Sequence, residues 1–194
     1  MTTLPNIILL VGKKRSGKDT IGDYLVKKYG YVKLALAEPI KQICKTIFGF
    51  TDEQCYGDTL KEVIDERWGI TPRKAFQYIG TEIFRNKNIM NPLIKNIDDN
   101  FWIKCLHEQI ESNIKKGLNV VITDVRFQNE EDGINKLAEK IGVNCKSIKI
   151  SRPNLLINDE HESEKNIDSI MTNYKIINST TIQELYNKLD NLFI

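Results

Sequence analysis

The sequence predicts an α/β fold, a mostly parallel central sheet flanked by helices, on three observations. Short, wholly apolar runs alternate with stretches of helical periodicity, the signature of strands covered on both faces. A glycine- and lysine-rich turn, "GKKRSGK" at 12–18, joins the first such run directly to the first helical stretch. Residues 50–117 depart from the alternation and read as mostly helical, an insertion within one domain whose core is about 1–49 and 118–194.

"NIILLV" at 6–11 is too apolar to have a wet face and reads as a buried strand, and Lys18 to Tyr29 as the helix that follows. "YVKLALA" at 31–37 predicts a second strand, and Pro39 suits the first position of the next helix. Further strands are expected in "NVVITD" (119–124), "CKSIKI" (145–150) and "YKIIN" (174–178), with helices over 128–141 and 181–192. "SRPNLLINDEHESEKNID" at 151–168 is polar and without clear period, and reads as a mobile loop or lid.

A chain of 194 residues is long enough to bury one substantial core. Its net charge of +2 is too small for a polyanion-binding surface, so a basic site must be local and nucleic acid is not an expected partner. No apolar run approaches a membrane span, and "IILLV" lacks the charged leader and cleavage site of a signal peptide. Cys44, Cys55, Cys105 and Cys145 are widely spaced, as for free thiols in a reducing compartment; a cytoplasmic protein is expected. Lysine outnumbers arginine 22 to six, in a chain also rich in Asn and Ile, a bias of AT-rich coding such as some viruses carry. Each arginine is therefore a candidate for a place that needs a planar, bidentate donor.

Gly12 to Lys18 fits G-x-x-x-x-G-K between a strand and a helix, where backbone N–H groups wrap a phosphate chain and the lysine reaches its end. Read as a mere solvated turn, the cluster Lys13, Lys14, Arg15 and Lys18 would oppose the helix dipole by about 0.3–1 kcal/mol per cation. An anionic ligand removes that conflict. Asp19 stands where the motif usually has Ser or Thr. It reads either as a hard oxygen ligand for magnesium, with Thr20 adding a hydroxyl, or as an acid that offsets the cations.

In "NVVITDVRFQNE", Asp124 ends a buried strand and Arg126 follows two places later. At the carboxyl end of a parallel strand the pair could hold magnesium and grip a phosphate. Alternatively, Asp124 caps the next helix and Arg126 pairs with Glu130. In "TPRKAFQYIGTEIFR", read as one helix, Phe76, Ile79 and Ile83 would form an apolar stripe, while Arg73, Gln77, Thr81 and Arg85 recur every fourth residue on another face. Trp102 shares spacing with Leu106 and Ile110, which favours a core position over a stacking platform. His107 has no assigned role, and His161 lacks spaced partners for a metal site.

Six segments in order carry a resemblance: "KRSGKDT" (14–20), "LAEPIK" (36–41), "FQYIGTEIFR" (76–85), "DNFWIK" (99–104), "TDVRFQNE" (123–130) and "RPN…HESE" (152–164). With them the chain resembles the deoxynucleoside monophosphate kinases of large-genome bacteriophages and other DNA viruses. The resemblance implies a P-loop kinase fold with a helical acceptor-binding insertion at about 50–117 and a lid at about 151–168. It implies phosphorylation of deoxynucleoside 5′-monophosphates by ATP with Mg²⁺, for DNA precursor synthesis in the cytoplasm, of a host cell if viral. Gly12, Lys13, Lys14, Arg15, Ser16, Gly17, Lys18, Asp19 and Thr20 would bind the ATP phosphates, and Asn178, Ser179 and Thr180 would sit near the adenine. Lys41, Arg73, Gln77, Arg85, Trp102, Asp124, Arg126 and Glu130 would form the acceptor side. Lys18, Arg126, Asp124 and the lid's Arg152 would act in transfer, with Asp19, Thr20 and Asp124 around the metal, directly or through water. Phe127 stands where relatives can carry a polar residue.

The acceptor would already be an oxyanion, so the lack of a Ser/His/Asp constellation agrees with this chemistry. The nearest alternative is a phosphomevalonate kinase of animal type, with a similar "SGKD" loop but no need of an aromatic for a base. A GTP-binding switch is another, because "NKLD" at 187–190 mimics N-K-x-D, although it lies inside an amphipathic helix instead of after a strand. Expected partners are small nucleotides, without a membrane; the number of subunits is left open, a homodimer being one arrangement.

Overall fold

Every residue of the first apolar run is buried, alternating between the two faces of a sheet, so that Ile8 and Leu10 point one way and Ile7, Leu9 and Val11 the other. The computed structural model describes residues 4–153 and 161–193. In order they form β1 (Ile7–Val11), α1 (Lys18–Tyr29), β2 (Val32–Leu34), α2 (Glu38–Phe48), α3 (Asp52–Tyr56), α4 (Pro72–Gln77), α5 (Lys87–Met90) and α6 (Phe101–Lys115). There follow β3 (Val120–Val125), α7 (Gln128–Ile141), β4 (Cys145–Ser151), α8 (Glu162–Lys165), β5 (Tyr174–Ile177) and α9 (Ile182–Asp190).

The chain divides into two units, one of residues up to 35 and from 106 onward, the other Leu36–Cys105. The first holds the whole sheet, five parallel strands in the order β2-β3-β1-β4-β5. Ile7 lies opposite Val120 on one side and Cys145 on the other. On one face Ile8 and Leu10 join Ile21 and Leu25 of α1, and Leu185 and Leu189 of α9, in a single core. Asp190 fastens those two helices, accepting hydrogen bonds from Tyr24 (2.8 Å), Tyr29 (2.7 Å) and Lys28 (2.6 Å). On the route back to the sheet, α7 buries Ile134, Leu137 and Ala138. At the carboxyl end of β1 the register with β3 slips: Leu9 faces Ile122, but Val11 faces Val125. β3 thus carries one extra residue just where Asp124 lies, the kind of irregularity that re-aims a side chain at the rim of a sheet.

The second unit is helical. Thr51 and Gln54 cap α3 reciprocally, each side chain accepting from the other's backbone N–H, and Thr71 caps α4 with Pro72 in its first turn. Beyond Gln77 the chain widens into a π-helical turn, Tyr78–Ile83, closed by Phe84 N–H donating to Ile79 O (3.2 Å). A single helix through "TPRKAFQYIGTEIFR" is therefore corrected: the wide turn breaks the four-residue repeat that would align Arg73, Gln77, Thr81 and Arg85. It leaves Ile79 buried, with Phe76 and Ile83 half-buried. Its position has a steric counterpart at Gly80, where a Cβ would lie 2.7 Å from Ile40 Cδ1.

Two further expectations change. The second strand ends at Leu34, because Leu36 and Ala37 already lead into α2, whose first residue is Glu38. The segment at 151–168 is not one loop: 154–160 lie outside the described residues, but 162–169 form α8 and a 3-10 turn, with Glu164 and Ile167 buried. Elements this short have no room to express a period. Long-range contacts specify them instead.

Candidate phosphate-binding site

The loop between β1 and α1 is shaped by what its glycines leave out. A Cβ on Gly12 would strike the Ile150 carbonyl and lie 2.6 Å from Ser16 Oγ; one on Gly17, at φ +108°, would lie 2.7 Å from Asn178 Nδ2. The backbone therefore folds tightly enough to turn inward, and Arg15 at its exposed tip takes a left-handed φ of +60°. Ser16 N–H donates to Lys13 O (3.1 Å), and Asn178 Nδ2 donates to Ser16 O (2.9 Å), which fixes the loop to the end of β5. Ser16 Oγ is buried and has no hydrogen-bond partner among the described residues. Such a hydroxyl is costly unless a ligand completes it.

Lys18, at the start of α1, is only 6% exposed and donates to Lys13 O at 2.8 Å. Its ammonium is lowered from 10.5 to about 8, by burial first and by Arg126 next, against the opposing pull of Asp19, Glu164 and Asp124. Lys18 is a cation held out of water at the start of a helix, where an anion is favoured.

Arg126 follows β3. Its guanidinium is half-buried and pairs with Glu164 of α8. Burial alone would lower its pKa, but Glu164, Asp124 and Glu130 together raise it, so the charge is secure. Glu130 is buried, and its Oε2 accepts from the backbone N–H of Arg126 (2.7 Å) and Phe127 (3.1 Å). In this structure the Glu130 carboxylate thus closes the start of α7. The salt bridge of the Arg126 side chain is with Glu164.

The remaining loop residues divide by exposure. Lys13 Nζ pairs with Asp168 at 2.6 Å, and Lys14 N–H donates to Glu164 Oε2 at 3.1 Å. The Asp19 side chain is 79% exposed and stands 3.4 Å from Lys33 Nζ, which also binds Asp23 at 2.9 Å. That placement favours the charge-offsetting reading of Asp19 over the metal-ligand one. Thr20 is half-buried behind it, and Ser179 and Thr180 are exposed after β5. Arg152 is exposed at the end of β4, with the undescribed residues next to it. No cluster of three or more His, Cys, Asp or Glu suited to a metal occurs among the described residues.

Lys41 Nζ lies over the Tyr56 ring at 4.6 Å from its centre. Arg73 Nε donates to Glu62 Oε1 at 2.5 Å, and Arg85 Nη1 to Asp99 O at 3.4 Å. Gln77 ends α4, half-buried. Trp102 is 2% exposed, its Nε1–H donates to Gly80 O at 2.8 Å, and Phe84 and Phe101 lie against its ring at 5.0 and 4.8 Å between centroids, a core position. Its spacing with Leu106 and Ile110 already pointed to the core.

The "NKLD" segment is structural as well. Asn187 accepts from Gln183, Lys188 donates to Ile177 O, and Asp190 holds the α1–α9 pair. Two residues that matter here had no role assigned from sequence, Glu164 and Asp168. Glu164 closes the "HESE" of the sixth segment of the resemblance, but without a period nothing in the sequence assigned it or Asp168 a partner.

The sequence matches the family described as deoxynucleotide monophosphate kinase over residues 6–64 and 45–189. A protein of Acanthamoeba polyphaga mimivirus, which bears that same name provisionally, is 39% identical over 188 residues, covering 94% of this chain and 93% of its own. Among solved structures, a dephospho-CoA kinase from Campylobacter jejuni is similar in fold, with a TM-score of 0.51 at 14% identity, over 98% of each chain.

Proposed function

The chain belongs to the deoxynucleotide monophosphate kinase family, and on that premise we propose that it transfers the γ-phosphoryl group of ATP to the 5′-phosphate of a deoxynucleoside monophosphate. The observation that carries this reading is the grouping of buried Lys18, half-buried Arg126 and Asp124 beside the phosphate loop, at the carboxyl ends of β1 and β3. Ligands of open parallel sheets bind at such ends, where neighbouring strands connect in opposite directions.

A triphosphate fits the donor set. The tight backbone at Gly12 and Gly17, the unpartnered Ser16 hydroxyl and the buried Lys18 ammonium all ask for an anion. Thr20 and Asp124 would hold the Mg²⁺ of the nucleotide, chiefly through water; bound there, the metal supplies charge neutralisation to the phosphates. An oxygen of the acceptor phosphate attacks the γ-phosphorus, the bond from that phosphorus to the bridging oxygen breaks, and ADP leaves. The acceptor oxygen is already anionic, so no side chain has to remove a proton. Lys18 and Arg126 hold the phosphates in line and spread the charge of the transition state, aided by Arg152. Lys41, Arg73, Gln77 and Arg85 are proposed for the acceptor, and Asn178 to Thr180 for the edge of the adenine.

Among the described residues, no helix is long and apolar enough to cross a membrane. An intracellular place in deoxynucleotide supply, in a virus-infected cell, follows from the same reading, with nucleotides and not nucleic acid as partners. The test is a coupled assay of ADP release with ATP and Mg²⁺, across all deoxy- and ribonucleoside monophosphates and phosphomevalonate. Turnover of one or more deoxynucleoside monophosphates is expected. Turnover of phosphomevalonate alone would overturn the proposal.

A further inference from the structure

The carboxylate of Glu164 joins the two halves of the phosphate site. One oxygen pairs with the Arg126 guanidinium beyond β3, and the other accepts the backbone N–H of Lys14 in the loop after β1, at 3.1 Å. The residue is 2% exposed, and its charge also acts on Lys18. We propose that Glu164 is a positioning residue for phosphoryl transfer, holding Arg126 at a set place relative to the phosphate loop; this rests on the kinase reading above.

Two observations favour a fixed clamp over an internal anion that the nucleotide displaces. First, the segment around Glu164 is fastened independently of it. Glu164 N–H donates to His161 O at 2.9 Å, Ile167 is buried, Asp168 pairs with Lys13 at 2.6 Å, and the Asp168 carbonyl accepts from Lys149 at 2.8 Å. Moving the whole segment to carry the carboxylate away would break this set at once. Second, the salt bridge engages Nη1 of Arg126, and a guanidinium carries five N–H donors in a rigid fork. An arginine anchored at one nitrogen keeps other donors for a phosphate, with less rotational freedom left to lose on binding it.

The chemistry asks for such a clamp. Transfer without a general base depends on alignment, and a misplacement of 1 Å can lower turnover by about 100-fold. Lysine at 18 is located by the helix it begins and by the Lys13 carbonyl. Arginine at 126 has a longer side chain rooted outside regular structure, between β3 and α7, so its end must be located by a partner.

The experiment is a double-mutant cycle on the full chain, reading kcat and KM for ATP and for the best deoxynucleoside monophosphate. Glu164→Gln, neutral but of equal length, is expected to lower kcat by about 10- to 100-fold with KM values within about threefold, the size of loss that displaced positioning groups produce. Glu164→Asp keeps the charge but is one methylene too short to reach both partners; it should lose kcat likewise, and it covers the case in which the neutral variant does not fold. In an Arg126→Ala background, Glu164→Gln should have almost no further effect on kcat, because the clamp has nothing left to hold. Equal losses in both backgrounds would mean a merely structural acid and overturn the proposal. Tighter ATP binding with kcat unchanged would also overturn it, identifying a displaceable anion instead. An active wild type with an additive cycle defeats this proposal alone, whereas a wild type inert toward every deoxynucleoside monophosphate defeats the kinase reading and the proposal with it.

Discussion

Replacing Lys18 by Met should make the nucleotide-free protein more stable while abolishing its response to ATP. The ammonium is 6% exposed, and burial lowers it from 10.5 to about 8, a fall of about 2.5 pH units. At about 1.36 kcal/mol per unit, the charged lysine costs the folded chain roughly 3 kcal/mol at neutral pH. Met has a similar stem without the charge. It forfeits the hydrogen bond to Lys13 O, worth about 1 kcal/mol, so the net gain is about 2 kcal/mol. For a chain of 194 residues that is a rise in Tm of roughly 4–8 °C.

The pH dependence gives the effect a signature. Between about 8 and 10.5 the unfolded chain retains the Lys18 proton that the folded chain has released, so wild-type stability should rise with pH through this window relative to the variant. The advantage of Lys18→Met, full at pH 7, should shrink toward pH 10; other titrating groups are common to both proteins and cancel. Thermal melts at pH 7 and pH 9.5, with and without ATP, read all of this. ATP at 100 times its Kd should stabilise the wild type by about 2.7 kcal/mol and the variant not at all. A variant less stable than wild type at pH 7, or a difference that ignores pH, would refute the argument that Lys18 is held at a loss for its ligand.

Other substitutions separate residues that sequence alone leaves together. Arg126→Lys should lower kcat by about 100-fold in the coupled assay, because a point charge cannot engage Glu164 and a phosphate at once. Gly12→Ala should abolish ATP binding, measured by calorimetry, since its Cβ would push into the Ile150 carbonyl and Ser16 Oγ. Asp19→Asn should leave the Mg²⁺ dependence of turnover within about twofold, if its role is to balance charge beside Lys33. Trp102→Phe should destabilise the fold by about 1–3 kcal/mol in urea titrations, by stranding the Gly80 carbonyl, with KM for the deoxynucleotide unchanged.

The parts of this protein that sequence reveals are those built from local, repeated choices. The apolar run at 7–11 and the 3.6-residue rhythms of α1 and α7 each repeat one preference often enough to be read, and both helices fall at the expected residues. The phosphate loop is legible for another reason: its glycines and lysine are required at fixed spacing by backbone geometry that no other residue supplies. By contrast, the π-helical turn at 78–83 depends on Ile40 and Trp102, 38 residues before it and 19 after it in sequence by its outer limits, and nothing local announces a wider turn. Glu130 and Glu164 make the same point within the site. Both are acids near Arg126, yet one closes the start of a helix through backbone N–H groups and the other pairs with the guanidinium. Only the positions of their elements distinguish them.

That contrast also accounts for the balance of charge in the site. Lys13, Lys18 and Arg126 stand near the start of α1 or beside it, where a helix dipole disfavours cations, and the structure compensates each differently. Lys13 has Asp168, and Arg126 has Glu164, so both cations are paired within the protein. Lys18 has, among the described residues, a carbonyl at hydrogen-bond distance, and the acids that act on it do so without offsetting its burial. A fully neutralised loop would bind phosphate weakly, and a fully uncompensated one would strain the fold. Leaving the deficit at one buried lysine concentrates the demand for an anion at a single point, the point that the G-x-x-x-x-G-K spacing sets at the end of the phosphate chain.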